Sequence, residues 1–318
     1  MTDALVISVI TPSYNQGEFL EETLASVLSQ EGNFHLDYLI IDGGSNDNSV
    51  EIIKRYEKLL DEQRWQVRCC GITYRWLSEK DRGQTDALSK GFRLAKGEIL
   101  AWLNSDDVYL PGTLQSVAAF FRDNPTIALL YGEAHYCDSD GEIIGRYPTG
   151  GFDLGKLAYF NFFCQPSTFF RSEAFEAVGG LDDTLHYAMD YDLFVKIGKQ
   201  FPCRYLPRFF SKYRLHDMSK TVRNDVLFEN HEEVLHLALK HFGWAPLPRV
   251  YGSCNYYCLA GLPGVLTRVR LIVIAASLFC TLFRSLWLNR GLRKEDLKLL
   301  RLENFQKISR ERMEILRG

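Results

Sequence analysis

The amino-acid sequence predicts an α/β fold, in which helices flank a Rossmann-like, mostly parallel sheet and a helical C-terminal extension follows. Two observations favour this fold. Short apolar runs alternate with stretches of helical period through residues 1–124, and each run ends in a polar or glycine-rich turn. The chain of 318 residues, 46% of them hydrophobic, is also long enough to bury a sizeable core.

Three strand–helix units and a fourth strand make up this alternation. The apolar runs and the helical stretches that follow them are ALVISVIT (4–11) with GEFLEETLASVLSQ (17–30), LDYLIID (36–42) with VEIIKRYEKLL (50–60), ITYRWLSE (72–79) with GQTDALSKGFRLA (83–95), and finally GEILAWLN (97–104). Ligands of such sheets bind beyond the carboxyl ends of the strands. The polar clusters after the first, second and fourth strands are therefore expected to line one pocket.

The pattern changes after about residue 125. TIALLYGEAHYCDSDGEIIGRY (126–147) predicts two strands joined by an Asp-Gly turn. Helical stretches then surround the aromatic-rich YFNFFCQPSTFF (159–170). They continue into YAMDYDLFVKIG (187–198), where Asp190 and Asp192 interrupt an apolar face.

Residues 221–318 form the predicted helical extension. Residues 264–318 carry twelve Lys and Arg against five Asp and Glu, whereas the rest of the chain is acidic. The apolar run Leu271–Phe283, thirteen residues with arginines on both sides, is shorter than the roughly 20 residues of a membrane-spanning helix. We predict a helix that lies in a membrane interface here. The alternatives are a buried core helix and a membrane span that includes Arg270 and Arg284. Residues 292–318 predict an amphipathic terminal helix.

The composition argues against several other classes. Basic residues do not interleave with aromatic ones as they do in nucleic-acid-binding proteins, so no nucleic-acid partner is expected. The eight cysteines lack the two-plus-two spacing of a zinc site and are typical of reduced cytosolic thiols. The N-terminus has no basic signal-peptide segment, which favours a cytoplasmic location, at the inner face of the plasma membrane if the extension binds there.

Two adjacent carboxylates, Asp106 and Asp107, follow the fourth strand directly. Like charges at one loop repel each other unless a cation lies nearby, and in a phosphate-binding pocket that cation is usually divalent. Mg²⁺ and Mn²⁺ need few carboxylate oxygens, because water and substrate phosphates complete their shells. A helix N-cap before Pro111 is the structural alternative for this pair, and a turn-forming role is the alternative for Asp42.

Five segments, in this order, resemble family 2 glycosyltransferases of the GT-A fold: VITPSYNQGEFLEETLASVLSQ, IIDGGSNDNS, GQTDALSKGF, LNSDDVYLPG and YAMDYDLFVK. The resemblance covers roughly residues 5–220. It implies a GT-A domain over 1–220, with a nucleotide-sugar-binding half at 1–124 and an acceptor-side half at 125–220. It also implies transfer of a sugar from a nucleotide-diphospho-sugar, a UDP- or dTDP-sugar being favoured, to a sugar or lipid-linked acceptor.

The resemblance also assigns the donor-binding residues. They are Pro12, Tyr14 and Asn15 against the nucleotide, Asp42 on the base, Gly43 and Gly44 where the backbone approaches the ligand, Asp81, Gln84, Asp86 and Lys90 along the donor, and Asn104 and Ser105 after the fourth strand. Of these, Asn104 is expected to reach the donor ribose or a metal-bound water.

The family's Asp-x-Asp metal signature maps onto Asn104-Ser105-Asp106, so its first acid is an amide here. Asp106 is the implied ligand of a divalent metal, Mn or Mg, and Asp107 remains acidic beside it. His216 falls where family members place a histidine that reaches the metal or the diphosphate. The amide bears on metal affinity more than on activity, because an amide oxygen still coordinates.

The implied catalytic base is Asp190, which would accept the proton of an acceptor hydroxyl in a single displacement that inverts the anomeric carbon. The family usually has an acidic pair at this helix start, and Met189 replaces the first acid here. Asp192 is then a structural acid, and a helix cap is the alternative for Asp190.

Two other functions remain open from the sequence. A non-catalytic nucleotide-sugar-binding scaffold would keep Asp42 and Asp106 without needing Asp190. A nucleotidyltransferase also uses acid-bound magnesium, but its glycine-rich basic loop is missing after the first strand, where TPSYNQGEF stands. A membrane-binding extension would favour a transferase of cell-envelope, capsule or exopolysaccharide assembly.

Overall fold

A computed structural model describes residues 4–217, 219, 224–261, 270–291 and 296. The strands are β1 Leu5–Ser13, β2 Gly32–Asp42, β3 Cys69–Ser78, β4 Ile99–Trp102, β5 Val108–Tyr109, β6 Leu129–Cys137, β7 Ile143–Arg146, β8 Thr168–Arg171 and β9 Cys203–Arg214. The helices are α1 Leu20–Leu28, α2 Ser49–Asp61, α3 Gln84–Leu94, α4 Thr113–Asp123, α5 Leu154–Tyr159, α6 Ser172–Ala177, α7 Met189–Gln200, α8 Asn224–Phe242, α9 Leu247–Gly261 and α10 Arg270–Asn289, with a 3₁₀ turn at Gln165–Ser167.

The chain divides into two compact units. The boundary falls between Leu215 and His216, and residues 153–161 group with the second unit although they precede β8. Within that unit α5 packs against α9, and the rings of Tyr159 and Trp244 lie 5.2 Å apart. The sequence-based division at residue 220 had left 153–161 with the first unit.

The nine strands of the described residues form one sheet in the order β3-β2-β1-β4-β8-β6-β9-β5, with β7 paired to β6 outside this path. β3, β2, β1 and β4 are parallel to their neighbours in that order, and the ladder between β6 and β9 is also parallel. The short strands β8, β7 and β5 pair antiparallel. The predicted α/β fold with a mostly parallel sheet is thus confirmed.

The parallel part of the sheet explains why polar residues collect at one edge. β1 lies between β2 and β4 and is buried from Ile7 to Ser13. Apolar side chains of β1, β2 and β4 pack with those of α1, α2 and α4 in one core, which their removal from water stabilises. Polar groups that must meet a ligand are therefore confined to the strand ends.

The predicted hairpin is also confirmed. β6 and β7 pair antiparallel, and the Gly141 N–H donates to the Asp138 carbonyl at 3.1 Å across the turn. The φ of Gly141 is +82°, a left-handed conformation that glycine adopts without steric cost.

The second unit is helical over its described residues. Leu235, Ala245, Val250 and Cys254 form its core cluster. Helix α10 extends beyond the thirteen-residue apolar run and includes Arg284, which pairs with Glu232 of α8 at 2.7 Å. Among the described residues, Leu271–Asn289 is one stretch long and apolar enough to cross a membrane by length and composition, and 22% of it is buried. The predicted terminal helix at 292–318 lies outside the described residues except for position 296.

Candidate active site

The loops that follow β1 and β2 are joined by Asn15. Its backbone N–H donates to Ser45 Oγ at 2.8 Å, and its Oδ1 accepts from the Asn46 N–H at 2.9 Å. Asn15 adopts a left-handed φ of 51°, which asparagine tolerates better than most residues. Pro12 is buried at the end of β1, whereas the ring of Tyr14 is 59% exposed beyond it. The structure thus brings the first two predicted clusters together, with Asn15 as their connection.

Asp42 lies at the end of β2 and is fully buried. Its Oδ2 accepts from the N–H groups of Gly44 and Ser45 and from Ser78 Oγ at 2.7–3.1 Å. Its Oδ1 accepts from Ser45 Oγ at 2.5 Å. These four hydrogen bonds hold the carboxylate against its own turn and against the end of β3. The contacts of Asp42 are therefore those of a turn-forming residue, which was the alternative to binding the base.

Gly43 and Asp81 form a narrow crevice beside Asp42. A Cβ added to Gly43 would lie only 2.7 Å from Asp81 Oδ2, so a side chain at 43 would displace that carboxylate. Asp81 Oδ1 accepts from the Gly83 N–H at 2.9 Å, and none of the described residues donates to Oδ2. The crevice therefore presents one free carboxylate oxygen, next to the glycine backbone where a ligand can approach closely.

Asn104 connects three elements at the end of β4. Its Oδ1 accepts from Gln84 Nε2 of α3 at 2.7 Å. Its Nδ2 lies 3.2 Å from Gln165 Oε1 and 3.2 Å from Asp107 Oδ2 and donates to both. Gln165 in turn donates to the Trp102 carbonyl at 2.7 Å. Both ends of the amide thus contact protein, and Asn104 positions the loop rather than offering a free oxygen.

Asp107 points into the protein. It is fully buried, and its Oδ1 accepts from the Arg214 backbone N–H at 3.0 Å. Burial raises the pKa of this carboxyl well above its ordinary value, and the charge of Asp106 raises it further. A buried carboxylate that already accepts from protein cannot also reach a metal at the surface. The structure therefore argues against the metal role predicted for Asp107.

Asp106 is the partly exposed acid of the pair, and Ser105 before it is buried. The guanidinium of Arg214, which is 1% exposed, fixes this loop by donating from Nε to the Asp106 carbonyl at 2.9 Å. It also donates to the Asp138 and Ser139 carbonyls and pairs with Glu22 of α1. One buried cation thus joins the β4 loop to α1 and to the β6–β7 turn.

Asp86 and Lys90 of α3 take part in an ion-pair network instead of pointing singly at a ligand. Asp86 accepts from Arg82 at 3.0 Å, and Lys90 Nζ lies 3.4 Å from Asp86 and 2.9 Å from Glu79. The Arg82 guanidinium holds the pKa of Asp86 below its ordinary value, and the Glu79 carboxylate raises the pKa of Lys90.

Asp190 lies in the first turn of α7 and is partly exposed. Burial raises the pKa of the Cys164 thiol well above its ordinary value, and the charges of Asp107 and Asp190 raise it further. The ring of Phe194 in α7 stacks on that of Trp102 in β4 with centroids 5.9 Å apart, so the helix that carries Asp190 packs beside β4. Asp192 is buried and pairs with Lys196 at 2.9 Å, a structural arrangement.

His216 belongs to the second unit, where its backbone N–H donates to Ser219 Oγ at 3.1 Å. Among the described residues, no three His, Cys, Asp or Glu side chains cluster in a way that could hold a metal by themselves. The protein ligand that the end of β4 does offer is the Asp106 carboxylate. One carboxylate fits an Mg²⁺ or Mn²⁺ whose remaining ligands come from a diphosphate and water.

Comparison with known proteins decides the family. The sequence pattern described as Glycosyl transferase family 2 matches residues 8–179, which is more than half of the chain. The chain belongs to glycosyl transferase family 2. The match includes the ends of β1 to β4 with Gly43 and Asp81, whereas Asp190, Arg214 and His216 lie beyond its last residue.

This family 2 glycosyltransferase is 24% identical to the chondroitin synthase of Escherichia coli over 259 residues, which make up 79% of this chain and 36% of that protein. The chain thus spans little more than a third of that relative. It is similar to TarS 1–349 of S. aureus in complex with UDP-GlcNAc, with a TM-score of 0.56, 16% identity, and 85% and 79% of the two chains covered. It is also similar to the mannosyltransferase PcManGT of Pyrobaculum calidifontis in complex with GDP-Man and Mn²⁺. That match has a TM-score of 0.57 and 16% identity and covers 90% of this chain and 88% of the other. These structures confirm the GT-A fold.

Sequence reasoning missed three side chains of this glycosyltransferase that organise the site: Ser78, Gln165 and Arg214. Ser78 ends a strand, as the predicted clusters do, so the strand-end rule could have found it. Gln165 is the polar residue of an aromatic-rich segment, which is a weaker signal. Nothing in the local sequence distinguishes Arg214, because its partners lie more than 70 residues away.

Replacing the buried guanidinium tests its positioning role. Arg214→Lys keeps the charge but leaves several of the Asp106, Asp138 and Ser139 carbonyls without a donor. We expect the free energy of unfolding to fall by about 1–3 kcal/mol, measured by urea denaturation. Weaker metal binding should accompany it, because the Asp106 loop loses its anchor.

The matched control is Arg146→Lys, since Arg146 pairs with Glu133 but is 55% exposed. An exposed pair contributes about 0–1 kcal/mol, so this variant should stay close to the parent protein. Equal losses of stability in the two variants would contradict the special role of Arg214.

Proposed function

We propose that this chain is an inverting, metal-dependent glycosyltransferase that moves a sugar from a nucleotide-diphospho-sugar to an acceptor hydroxyl. The observation that carries the proposal is that Asp81 and Asp106 follow the carboxyl ends of β3 and β4, while α7, which carries Asp190, packs on β4 through Phe194 and Trp102. Each of the three acids is partly exposed. The fold similarity to structures that contain UDP-GlcNAc and GDP-Man supports a nucleotide-sugar donor.

The base of the donor is proposed to meet Asp81 instead of Asp42. All four contacts of the Asp42 carboxylate come from its own turn and from Ser78, whereas Asp81 Oδ2 is free of donors from the described residues. Gly43 has no Cβ, which lets the Asp81 carboxylate lie directly against its backbone. Asp42 then positions the turn after β2, and Asp81 accepts a hydrogen bond from the base.

A single free carboxylate oxygen favours a base whose hydrogen-bonding edge presents one N–H donor. Uracil and thymine present one imide N–H between two carbonyl groups, which matches one acceptor oxygen. Guanine presents two neighbouring donors, but Asp81 Oδ1 already accepts from Gly83. The chemistry of the crevice therefore supports a UDP- or dTDP-sugar.

The metal, Mn or Mg, would be held by the Asp106 carboxylate, and Asn104 and Ser105 would keep that loop in place. When bound, a divalent ion offsets the charge that develops on the diphosphate as the sugar leaves. The presence of Mn²⁺ in the PcManGT structure supports this proposal. Asp107 points inward, where its Oδ1 accepts from the Arg214 backbone N–H, and it does not act as a ligand in this proposal.

For the transfer itself, we assign Asp190 as the general base. Its carboxylate accepts the proton of the acceptor hydroxyl while that oxygen forms a bond to the anomeric carbon. The bond from that carbon to the diphosphate oxygen breaks on the opposite face, so the configuration inverts. The nucleotide diphosphate takes the electron pair of the broken bond.

The acceptor is proposed to be a sugar or a lipid-linked sugar in cell-envelope, capsule or exopolysaccharide assembly. The similarity to a chondroitin synthase supports a polysaccharide context. We place the enzyme in the cytoplasm, at the inner face of the plasma membrane, where nucleotide sugars and lipid-linked acceptors would meet.

Asp190→Asn tests the catalytic assignment. The amide cannot accept the proton, so the transfer rate should fall by about 10²–10⁴-fold while the Kd of the donor stays unchanged. Asp140→Asn removes an exposed carboxylate from the β6–β7 turn and should leave both quantities unchanged. A loss of donor affinity in Asp190→Asn would place Asp190 in the donor site instead.

Asp81→Asn tests whether Asp81 binds the nucleotide base. The Gly83 N–H should select the amide oxygen, which leaves the amide N–H₂ facing the base, where it repels an imide N–H and suits the cytosine ring nitrogen. We expect UDP affinity to fall about tenfold and CDP affinity to rise relative to UDP, as measured by calorimetry. Asp42→Asn should destabilise the fold instead, without changing the ratio of UDP to CDP affinity. An unchanged ratio in Asp81→Asn would refute the assignment.

A further inference from the structure

Helix α10 has its apolar residues on the outside. Leu271, Phe279, Phe283 and Trp287 are each 73–77% exposed. They belong to an exposed stripe that we call the α10 apolar face, whose large residues are Leu271, Ile272, Leu278, Phe279, Leu282, Phe283, Leu286 and Trp287. Arg284 is the only charged residue between Leu271 and Asn289, and this face includes no charge.

The opposite side of the same helix is small and polar. Val273, Ser277, Thr281 and Ser285 recur at four-residue spacing and are buried where α10 packs against α9. Ser277 and Thr281 donate to the carbonyls one turn earlier, at 2.7 and 2.6 Å. Small residues let two helices approach closely, and this composition is typical of helix interfaces in membranes.

The charge of Arg284 is neutralised within the second unit. Its guanidinium pairs with Glu232 at 2.7 and 2.9 Å and also contacts Ser253 of α9. Arg284 is thus bound to α8 and α9, and its charge is directed away from the α10 apolar face. That face is long enough, from Leu271 to Trp287, to extend about 24 Å at 1.5 Å per residue.

We propose that the α10 apolar face is embedded in one leaflet of an anionic lipid bilayer and holds this glycosyltransferase at the membrane surface. A helix of a water-soluble protein buries its apolar side and exposes its polar side, and α10 does the reverse. The surrounding sequence of residues 264–318 is basic, which complements anionic headgroups. Trp287, at one end of the face, suits the boundary between headgroups and acyl chains.

The geometry favours a helix that lies in the leaflet over one that crosses the bilayer. Leu271–Asn289 is long enough to cross a membrane by length and composition, but its large exposed apolar residues lie on one side of the helix. One side of α10 is also covered by α9, so lipid contact is confined to the other side. The inference deepens the proposed membrane location, but vesicle binding can be measured without any sugar transfer, so the two can fail separately.

The test is flotation of the full chain with vesicles of phosphatidylcholine, with and without phosphatidylglycerol. We expect binding that strengthens with phosphatidylglycerol and weakens with salt. The double variant Phe279→Glu with Phe283→Glu should bind on the order of 100-fold more weakly, because carboxylates are costly in the hydrocarbon region. The matched control is Ile143→Glu with Ile144→Glu, which places two charges on similarly exposed apolar residues of β7.

A second measurement keeps the inference testable if the double variant fails to fold. Brominated acyl chains should quench the tryptophan fluorescence of the parent protein, and Trp287→Phe should remove that quenching. The inference is wrong if the parent protein does not bind either vesicle, or if the double variant and the control bind equally well. It is also wrong if light scattering shows a dimer that the double variant dissociates while vesicles bind neither form, since the face would then join two copies.

Discussion

The arrangement of the site depends on one buried cation. Arg214 is 1% exposed, yet its guanidinium contacts the loop after β4, helix α1 and the turn between β6 and β7. These elements are far apart in the chain, and the short strand β5 alone would not hold the loop in place. An arginine can do this because its planar group offers five donors in fixed directions, which a lysine cannot match. The position of the Asp106 carboxylate follows from that anchor.

A shell of satisfied polar groups surrounds the few carboxylates that face outward. Asp42 is bound by its own turn, Asn104 by two glutamines, and Asp107 by the backbone of Arg214. Each of these three side chains has oxygens that could contact a donor or a metal, but in the structure those oxygens contact protein groups and stabilise a loop. Such a shell restricts the positions of Asp81 and Asp106, and fixed positions lower the cost of binding a charged donor.

Much of this architecture could be predicted from the sequence. Periodicity located the parallel strands, and the strand-end rule located the polar clusters, because both depend on local pattern. Local sequence does not decide which of two neighbouring acids points inward: Asp107 is held there by Asn104 and by the Arg214 backbone of β9, which lies more than 100 residues away. The ion pair of Arg284 is not local either, since Glu232 lies 52 residues earlier, in α8.

We infer that these strand ends bind a nucleotide-sugar through a metal on Asp106. The decisive measurement is calorimetric titration with UDP-, dTDP- and GDP-sugars, each with Mn²⁺, with Mg²⁺ and with EDTA. We expect a UDP- or dTDP-sugar to bind tightly only when a divalent metal is present, and Asp106→Ala to abolish both this dependence and the affinity. Donor binding that is unaffected by EDTA and by Asp106→Ala would show that the metal role of Asp106 is wrong.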